Sequence, residues 1–221
     1  MVEISTSVLT VEPKNATQTF YNLEVAKTDY FHIDVMDGKF VVKDTARKMK
    51  EYATTLKHIS NLPLDVHLMV EDVEKFIDDY AELEPNIITF HYESNIRLST
   101  IVERIEKIKK LGCRAGISIK PNTPLSAIYE LLPMLHVVLI MSVEPGKGGQ
   151  LFIPDALEKI RDLKNYIEQN NLSVDIEVDG GINEAICQSV KEAGADILVA
   201  GTAIIKSLDY KTTIDILRSN I

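Results

Sequence analysis

The segment Phe31–Gly38 reads FHIDVMDG, a short and mostly apolar run that ends in an Asp-Gly turn signal. The same order of features recurs along the whole chain, each apolar run being followed by a turn and then by an amphipathic, charged stretch. Because these runs are apolar rather than strictly alternating, they indicate strands buried on both faces of a parallel sheet. The predicted strands are Glu3–Leu9, Tyr30–Val35, Leu64–Val70, Ile87–His91, Arg114–Ile119, Val137–Val143, Val174–Val178 and Ile197–Ala200.

The stretches between these runs carry apolar residues at the three- and four-residue spacing of an amphipathic helix. Glycines such as Gly112 and Gly194 are expected to close helices just before the next strand. The helical spacing is shown by Val73, Phe76, Ile77 and Tyr80, by Ile101, Ile105 and Ile108, and by Leu157, Ile160, Leu163 and Ile167.

Eight strand–helix units in 221 residues average about 28 residues each, which is close to the size of one βα unit. We therefore predict an α/β fold, a single (β/α)8 TIM barrel over residues 1–221, whose closure leaves no sheet edge exposed. An open doubly wound sheet is the competing fold, and it is less favoured because no GxGxxG motif follows the first predicted strand.

The chain is acidic, with 24 Lys and Arg against 33 Asp and Glu and a formal net charge of −9. This balance argues against nucleic-acid and anionic-membrane binding, which call for a broad basic face. Cys113 and Cys187 lie far apart and are expected to be free, packed thiols. The N-terminal segment lacks the order of a signal peptide, and the most apolar stretch, Val137–Met141, is far too short to span a bilayer. These features predict a cytoplasmic protein.

Polar side chains stand at the ends of the apolar runs, where the active sites of α/β barrels lie. They are Ser7, His32, Asp34, Asp37, His67, His91, Glu144 and Asp179. Residues two apart share one face of a strand, so His32 and Asp34 project together, and His67 comes from the next strand. Asp179 is expected to reach the same point from across the barrel mouth. Two imidazoles and two carboxylates suit Zn²⁺, Fe²⁺, Mn²⁺ or Co²⁺ and poorly suit Ca²⁺ or Mg²⁺.

The remaining polar candidates receive other interpretations. Asp37 precedes Gly38 and is expected to make an Asx-type turn. His58, at a helix end, and His136, at a strand start, are interpreted as structural. For His91 two roles stay open, contact with substrate and support from behind the metal ligands.

Glycine-rich turns follow the last three predicted strands, at Pro145–Gln150 (PGKGGQ), Asp179–Gly181 (DGG) and Gly201–Thr202. Consecutive glycines let backbone N–H groups converge on an anion, and loops after the late strands are the usual phosphate site of such barrels. The sequence therefore predicts a phosphorylated ligand. A flexible apolar lining that limits water near the metal is predicted from Met36, Met69 and Met141.

Six segments in chain order carry a more specific signal. They are SVL at Ser7–Leu9, HIDVMDGKFV at His32–Val41, LDVHLMV at Leu64–Val70, PNTP at Pro121–Pro124, MSVEPGKGGQLFIP at Met141–Pro154 and IEVDGGIN at Ile176–Asn183. Together they resemble the ribulose-phosphate 3-epimerase family over nearly the whole chain, which implies a barrel of the ribulose-phosphate-binding type.

The resemblance implies roles for individual residues. Asp34 and Asp179 would be the catalytic acid/base carboxylates. One divalent metal ion, zinc ahead of iron, manganese or cobalt, would be held by His32, Asp34, His67 and Asp179. The substrate-binding residues would be Ser7, His32, His67 and Asp179 at the sugar and Gly146, Lys147, Gly148, Gly149, Gly180, Gly181, Gly201 and Thr202 at the phosphate.

The implied reaction is metal-dependent epimerisation at C3 of a ketose phosphate, D-ribulose 5-phosphate to D-xylulose 5-phosphate, in the pentose phosphate pathway. Inverting a carbon beside a ketone requires a proton to leave one face and another to arrive on the opposite face, which two opposed carboxylates permit. A metal stabilises the charge of the enediolate between these steps. The expected partners are a small phosphorylated ketose and further copies of this chain in a homo-oligomer.

The sequence departs from the family pattern around the substrate entrance. Val42–Thr45 replace a Pro-Asn and Phe-Gly pattern, Thr10–Ala16 lack the common Ser-Ala-Asp, and Lys147 replaces a Phe and adds a charge for the phosphate. These differences bear on the exact sugar, so allulose-6-phosphate 3-epimerase is one alternative. A sugar-phosphate-binding barrel without catalysis is another, and a Schiff-base aldolase using Lys120 is a third.

Overall fold

Eight parallel strands close into a barrel in the computed structural model, which describes residues 2–219. Each strand pairs with the next along the chain, and the last returns to the first through the Glu3–Ile197 register. The predicted (β/α)8 TIM barrel is confirmed, while Met1 and residues 220–221 of the predicted 1–221 domain lie outside the described residues. The strands are β1 (Glu3–Ser7), β2 (Tyr30–Met36), β3 (Leu64–Met69), β4 (Ile87–His91), β5 (Arg114–Ile119), β6 (Val137–Met141), β7 (Asp175–Asp179) and β8 (Ile197–Ala200).

Helices surround the barrel and cover the outward faces of its strands. The apolar spacings seen in the sequence become buried helix faces, as Val73, Ile77 and Tyr80 illustrate in the third helix. Gly194 ends the sixth helix in the left-handed conformation, as predicted. The helices are α1 (Ala16–Val25), α2 (Ala46–Ile59), α3 (Val73–Ala81), α4 (Leu98–Lys110), α5 (Ala156–Gln169), α6 (Cys187–Ala193), α7 (Thr202–Ile205) and α8 (Tyr210–Arg218).

The fifth unit departs from the strand–helix repeat. Between β5 and β6 the described chain forms two short 3₁₀ turns, Leu125–Ala127 and Leu132–Met134, in place of an α-helix. Pro121, Pro124 and Pro133 lie in this stretch, and proline removes a backbone donor and clashes with the preceding helical turn. The eighth unit, by contrast, carries both α7 and α8.

The barrel interior is layered from its floor to its mouth. An apolar floor is formed by the buried side chains of Tyr30, Ile87, Val137 and Ile197. Above the floor the inward side chains become polar, and the charged groups lie along the middle and at the carboxyl ends of the strands. This order leaves one end of the barrel sealed and the other open for chemistry.

Two predictions from composition can be compared with the structure. Cys113 and Cys187 are both buried and free of any disulfide, as expected. Among residues 2–219, no helix combines the length and the apolar character needed to cross a membrane.

Gly116 provides a test of interior packing. A Cβ atom at this position would lie 2.2 Å from Thr89 Oγ1 and 3.0 Å from Thr89 Cβ, and Thr89 is fully buried. We predict that Gly116→Ala lowers the free energy of unfolding by about 1–3 kcal/mol, because extra volume in a packed core forces its neighbours aside. Urea titration measures the change.

Two further variants control this test. Gly148→Ala meets only ordinary contacts, 3.5 Å and beyond, and should leave stability nearly unchanged. Adding Thr89→Ala to Gly116→Ala removes the closest contact and should recover part of the loss. Wild-type stability of the single Gly116→Ala variant would contradict this account of the interior.

Candidate active site

Four side chains from three strands meet at the mouth of the barrel. His32 and Asp34 lie on β2, His67 lies opposite Asp34 on β3, and Asp179 ends β7. Each offers a ligand atom within 4.8 Å of the others. The distances are 3.3 Å from His32 Nε2 to Asp34 Oδ1, 3.3 Å from His67 Nδ1 to Asp34 Oδ1 and 3.8 Å from His67 Nδ1 to Asp179 Oδ2.

The hydrogen bonds around His32 suit this cluster to a cation. His32 Nδ1 lies 2.6 Å from an oxygen of Asp65, so the carboxylate accepts the ring N–H at that nitrogen. His32 Nε2 is buried, faces Asp34 and has no hydrogen-bond partner among residues 2–219. A bare imidazole nitrogen beside two carboxylates is the donor set that a first-row divalent metal prefers.

Burial and charge set the two carboxylates of the cluster apart. Burial opposes ionisation of Asp34, but His32 and His67 outweigh it and hold the Asp34 pKa well below its usual range. Burial, followed by the Asp34 charge, raises the pKa of Asp179 to about 6. For His32 burial opposes the charged ring, yet Asp65 and Asp34 raise its pKa well above the usual value.

A second layer of acids lies beneath this cluster, and the sequence interpretation missed it. Asp65 accepts hydrogen bonds from Ser5 and His32, and Glu177 Oε1 lies 3.7 Å from His32 Nδ1. Both Glu177 oxygens are buried without a hydrogen-bond partner in the described chain, and burial and the nearby Asp65 raise its pKa well above the ordinary value. The signal was available in the sequence, because Asp65 and Glu177 precede His67 and Asp179 by two positions and so share their strand face.

A cavity of about 290 Å³ opens above the four side chains. Asp34, Asp179 and Ser7 form part of its floor, where the Ser7 hydroxyl donates to Asp34 Oδ2 at 2.6 Å. His32 and His67 are fully buried beneath this surface. The lining also includes every glycine-turn residue singled out from the sequence, namely Gly146, Lys147, Gly148, Gly149, Gly180, Gly181, Gly201 and Thr202.

Two of these glycines are required by the shape of the cavity wall. Gly181 has φ +69°, and a Cβ there would lie 2.4 Å from the backbone nitrogen of Phe152. Gly180 has φ +125°, and a Cβ there would lie 2.5 Å from the Val143 side chain. The loops after β6 and β7 therefore touch at the backbone, which a larger residue would prevent.

The three methionines line the same cavity. Met36 and Met69 pack with Leu9 and Val41, while Met141 packs with its neighbours on the opposite wall. All three are buried, so the charged floor is bordered by apolar atoms.

Of the other polar candidates, Glu144 lines the cavity, whereas Asp37, His58 and His136 do not. Asp37 makes the expected Asx turn, accepting from the amides of Lys39 and Phe40. His58 contacts a carbonyl of its own helix, and His136 accepts the Ala115 amide, in keeping with structural roles.

His91 lies directly behind His67. The Nε2 atoms of the two rings are 2.9 Å apart, and His91 Nδ1 lies 3.1 Å from a Glu93 oxygen. Burial lowers the pKa of His91 to about 4. Burial opposes ionisation of Glu93, but hydrogen bonds from His91, Thr123 and the Lys120 amide lower its pKa to about 2. His91 is absent from the cavity lining, so of its two candidate roles the position favours support of the ligands.

The chain matches a known enzyme family over almost its whole length. The model of the Ribulose-phosphate 3 epimerase family matches residues 3–205. The chain belongs to the ribulose-phosphate 3-epimerase family. The resemblance seen in the sequence is thereby confirmed, and so is the predicted enzyme class, an isomerase.

Individual relatives agree with this assignment. The ribulose-phosphate 3-epimerase of Escherichia coli K12 is 38% identical over 223 residues, covering 99% of this chain and 95% of the relative. The enzyme of the same name from Methanocaldococcus jannaschii is 38% identical over 218 residues, covering 99% and 90%. The structure of 3-keto-L-gulonate-6-phosphate decarboxylase from Vibrio cholerae shares the fold, with a TM-score of 0.73 at 14% identity over 98% of this chain and 95% of that one.

The electrostatics of the site can be tested on metal-free protein. We predict that Asp179 titrates near pH 6, and that Asp34→Asn lowers this pKa because the repelling charge of Asp34 is gone while burial remains. Carboxyl ¹³C NMR titration measures both values. Asp162→Asn on the exposed face of α5 serves as control and should leave Asp179 unchanged. An Asp179 pKa near the ordinary value of about 3.9 in the wild type would contradict the prediction.

Proposed function

We propose that this protein interconverts D-ribulose 5-phosphate and D-xylulose 5-phosphate by moving a proton off and onto C3. Membership of the ribulose-phosphate 3-epimerase family supports the reaction class. The observation that carries the mechanism is the placement of Asp34 and Asp179, which come from β2 and β7 and border one cavity.

The two carboxylates account for the inversion. In one direction Asp34 takes the C3 proton as base, the C3–H electron pair moves into an enediolate, and Asp179 donates a proton to the opposite face of C3. In the reverse direction the two residues exchange these roles. A single base would tend to return the proton to the face it left, whereas acids from different strands reach different faces.

His32, Asp34, His67 and Asp179 are the residues that would hold a divalent cation, with zinc proposed ahead of iron, manganese or cobalt. When bound, such a cation stabilises the negative charge that develops on the substrate oxygens. The residues fit it because His32 Nε2 has no other partner in the described structure and two carboxylates border the same point.

The rest of the cavity is assigned to the body of the substrate. Ser7 on the floor is proposed to contact the sugar, and the glycine turns after β6, β7 and β8 to receive the phosphate through backbone amides. Lys147 adds the positive side chain that an acidic protein otherwise lacks at this wall. The buried methionines keep bulk water away from the reacting carbon.

Whether the substrate is a pentose phosphate or a hexose phosphate can be tested by comparing the two. Purified, metal-reconstituted protein is assayed against ribulose 5-phosphate and allulose 6-phosphate under the same conditions. The proposal predicts a higher kcat/KM for the pentose phosphate. A preference for the hexose phosphate would assign the second substrate, and activity on neither would overturn the proposed reaction.

Replacing either carboxylate should stop turnover. We expect Asp34→Asn and Asp179→Asn each to lower kcat by at least about 100-fold, because each loses one of the two proton-transfer steps. Binding of inorganic phosphate should persist, since the glycine turns are unchanged. Asp162→Asn controls for the loss of one charge at an exposed site. Near-normal turnover by Asp34→Asn or Asp179→Asn would contradict the two-carboxylate mechanism.

The path of the proton provides a second check. In D₂O the product should gain one deuterium at C3, while substrate recovered early in the reaction should contain little. ¹H NMR of both pools measures this. Extensive early labelling of the recovered substrate would instead indicate one base acting on one face.

Metal removal should affect both activity and stability. Chelator treatment is expected to abolish turnover, and added Zn²⁺ or Co²⁺ should restore it and raise Tm, because a ligand that binds only the folded state stabilises it. Apparent metal affinity should fall as pH falls through about 6, since protons then compete with the cation for Asp179. His67→Ala should lose the Tm rise, whereas His58→Ala, far from the cluster, should keep it. A metal-free protein with full activity would contradict the proposed site.

A further inference from the structure

A chain of hydrogen bonds runs from the metal-site cluster to Glu93. His67 Nε2 meets His91 Nε2 at 2.9 Å, and His91 Nδ1 meets Glu93 Oε2 at 3.1 Å. The two imidazole rings are stacked, with centroids 5.0 Å apart and an angle of 28° between their planes. Both rings are fully buried, so no solvent competes for these contacts.

Glu93, at the far end of these hydrogen bonds, determines which nitrogen of each imidazole ring donates. Glu93 Oε1 accepts the Lys120 amide at 2.8 Å and also the Thr123 hydroxyl. These donors favour the ionised form of Glu93, which can only accept, so its other oxygen receives a donor from His91. His91 therefore carries its proton on Nδ1, and its Nε2 is a bare acceptor.

The protonation of His91 in turn determines which nitrogen of His67 donates. Because His91 Nε2 accepts, His67 has to donate from Nε2, and the lone pair of its neutral ring lies on Nδ1. That atom faces Asp34 at 3.3 Å and Asp179 at 3.8 Å. A lone pair directed at two carboxylate oxygens is stabilised when a cation lies between them.

We propose that Glu93 and His91 are positioning residues that fix the tautomer of His67, presenting its Nδ1 lone pair to the cation. The inference rests on the proposed function and adds to it two residues that touch neither substrate nor metal. The tautomer of His32 is fixed more directly, because Asp65 accepts a hydrogen bond from its Nδ1 at 2.6 Å and Nε2 is left without a proton. Each of the two imidazoles is thus oriented by a carboxylate, His32 by Asp65 directly and His67 by Glu93 through His91.

Neighbouring residues hold the hydrogen-bonded series of His67, His91 and Glu93, here called the relay, in place. Phe40 packs on the outer side of His91, with ring centroids 4.9 Å apart. The segment that supplies the donors to Glu93 is itself tied down, because Lys159 Nζ donates to the carbonyls of Lys120, Pro121 and Thr123. These contacts fix the donors to Glu93 and so favour the orientation in which its Oε2 faces His91.

Glu93→Gln is the decisive variant, because it reverses the relay without removing a side chain. The Lys120 amide still requires an oxygen, so the introduced amide turns its oxygen to Lys120 and its NH₂ to His91. His91 Nδ1 then has to accept, His91 Nε2 donates to His67, and the proton of His67 moves to Nδ1. We expect zinc affinity to fall about 10–100-fold, the range typical when a partner behind a metal ligand is lost.

Two variants at His91 and one distant variant make the test robust. His91→Phe keeps a ring but removes the acceptor, and should weaken zinc binding to a similar extent. His91→Gln offers an amide oxygen to His67 and an NH₂ group to Glu93, and should recover much of the affinity. Glu130→Gln removes the same charge from an exposed position and should bind zinc like the wild type.

The readouts are ¹⁵N NMR of the histidine side chains and zinc titration by calorimetry, with Co²⁺ absorption reporting the geometry of the site. Long-range ¹H–¹⁵N spectra of the metal-free and zinc-loaded proteins locate each imidazole proton. The expected result is His91 with its proton on Nδ1 in the wild type and on Nε2 in Glu93→Gln, together with weaker zinc binding. Wild-type His91 with its proton on Nε2, or Glu93→Gln with unchanged spectra and zinc affinity, would overturn the inference.

The same data separate this inference from the proposed function. If the wild type binds no zinc, the proposed metal site fails, while the metal-free spectra still decide whether Glu93 directs the two histidines. If the wild type binds zinc tightly and Glu93→Gln and His91→Phe bind it equally well, the metal site stands and the relay is wrong.

Discussion

Four carboxyl groups and three imidazole rings meet inside one barrel, in a volume from which water is largely excluded. Asp34, Asp65, Glu177 and Asp179 cannot all carry charge there without compensation, because burying an unpaired charge is very costly. The histidines provide part of the compensation, and a divalent cation at the mouth would supply the remainder. The unequal pKa values of Asp34 and Asp179 are a direct consequence of this crowding.

Barrel closure is what brings these groups together. His32 and Asp34 share a strand face, but Asp179 is 145 positions further along the chain and reaches them only because β7 lies across a closed ring. The apolar floor closes one end of the barrel, and the cavity opens at the mouth, where it is lined by the glycine turns of the late strands. Fold and site are thus two consequences of the same strand pattern.

Much of this organisation follows from local sequence rules. Period-two alternation predicted that His32 and Asp34 project together, and helical spacing predicted the buried faces of α3, α4 and α5. Asp37 was assigned to a turn because it precedes Gly38, and the structure agrees. The structure of the fifth unit is harder to predict, because its prolines permit turns whose form depends on packing against the barrel.

The side chains below and behind the cluster of His32, Asp34, His67 and Asp179 are harder to predict from the sequence. Asp65 and Glu177 follow the two-residue rule but look, in sequence, like ordinary charged residues at strand positions. The pairing of His91 with His67 depends on the register of β3 and β4. The direction of that hydrogen bond depends on the amide of Lys120, the residue directly after β5. Such relationships emerge only from three-dimensional neighbours.

The proposed mechanism requires one cation at the barrel mouth, held by His32, Asp34, His67 and Asp179. The most direct test is an anomalous difference map of crystals grown with Zn²⁺ or Co²⁺. The account predicts one strong peak bounded by His32 Nε2, His67 Nδ1 and oxygens of Asp34 and Asp179. A peak elsewhere in the barrel, or one in contact with His67 through Nε2, would contradict it.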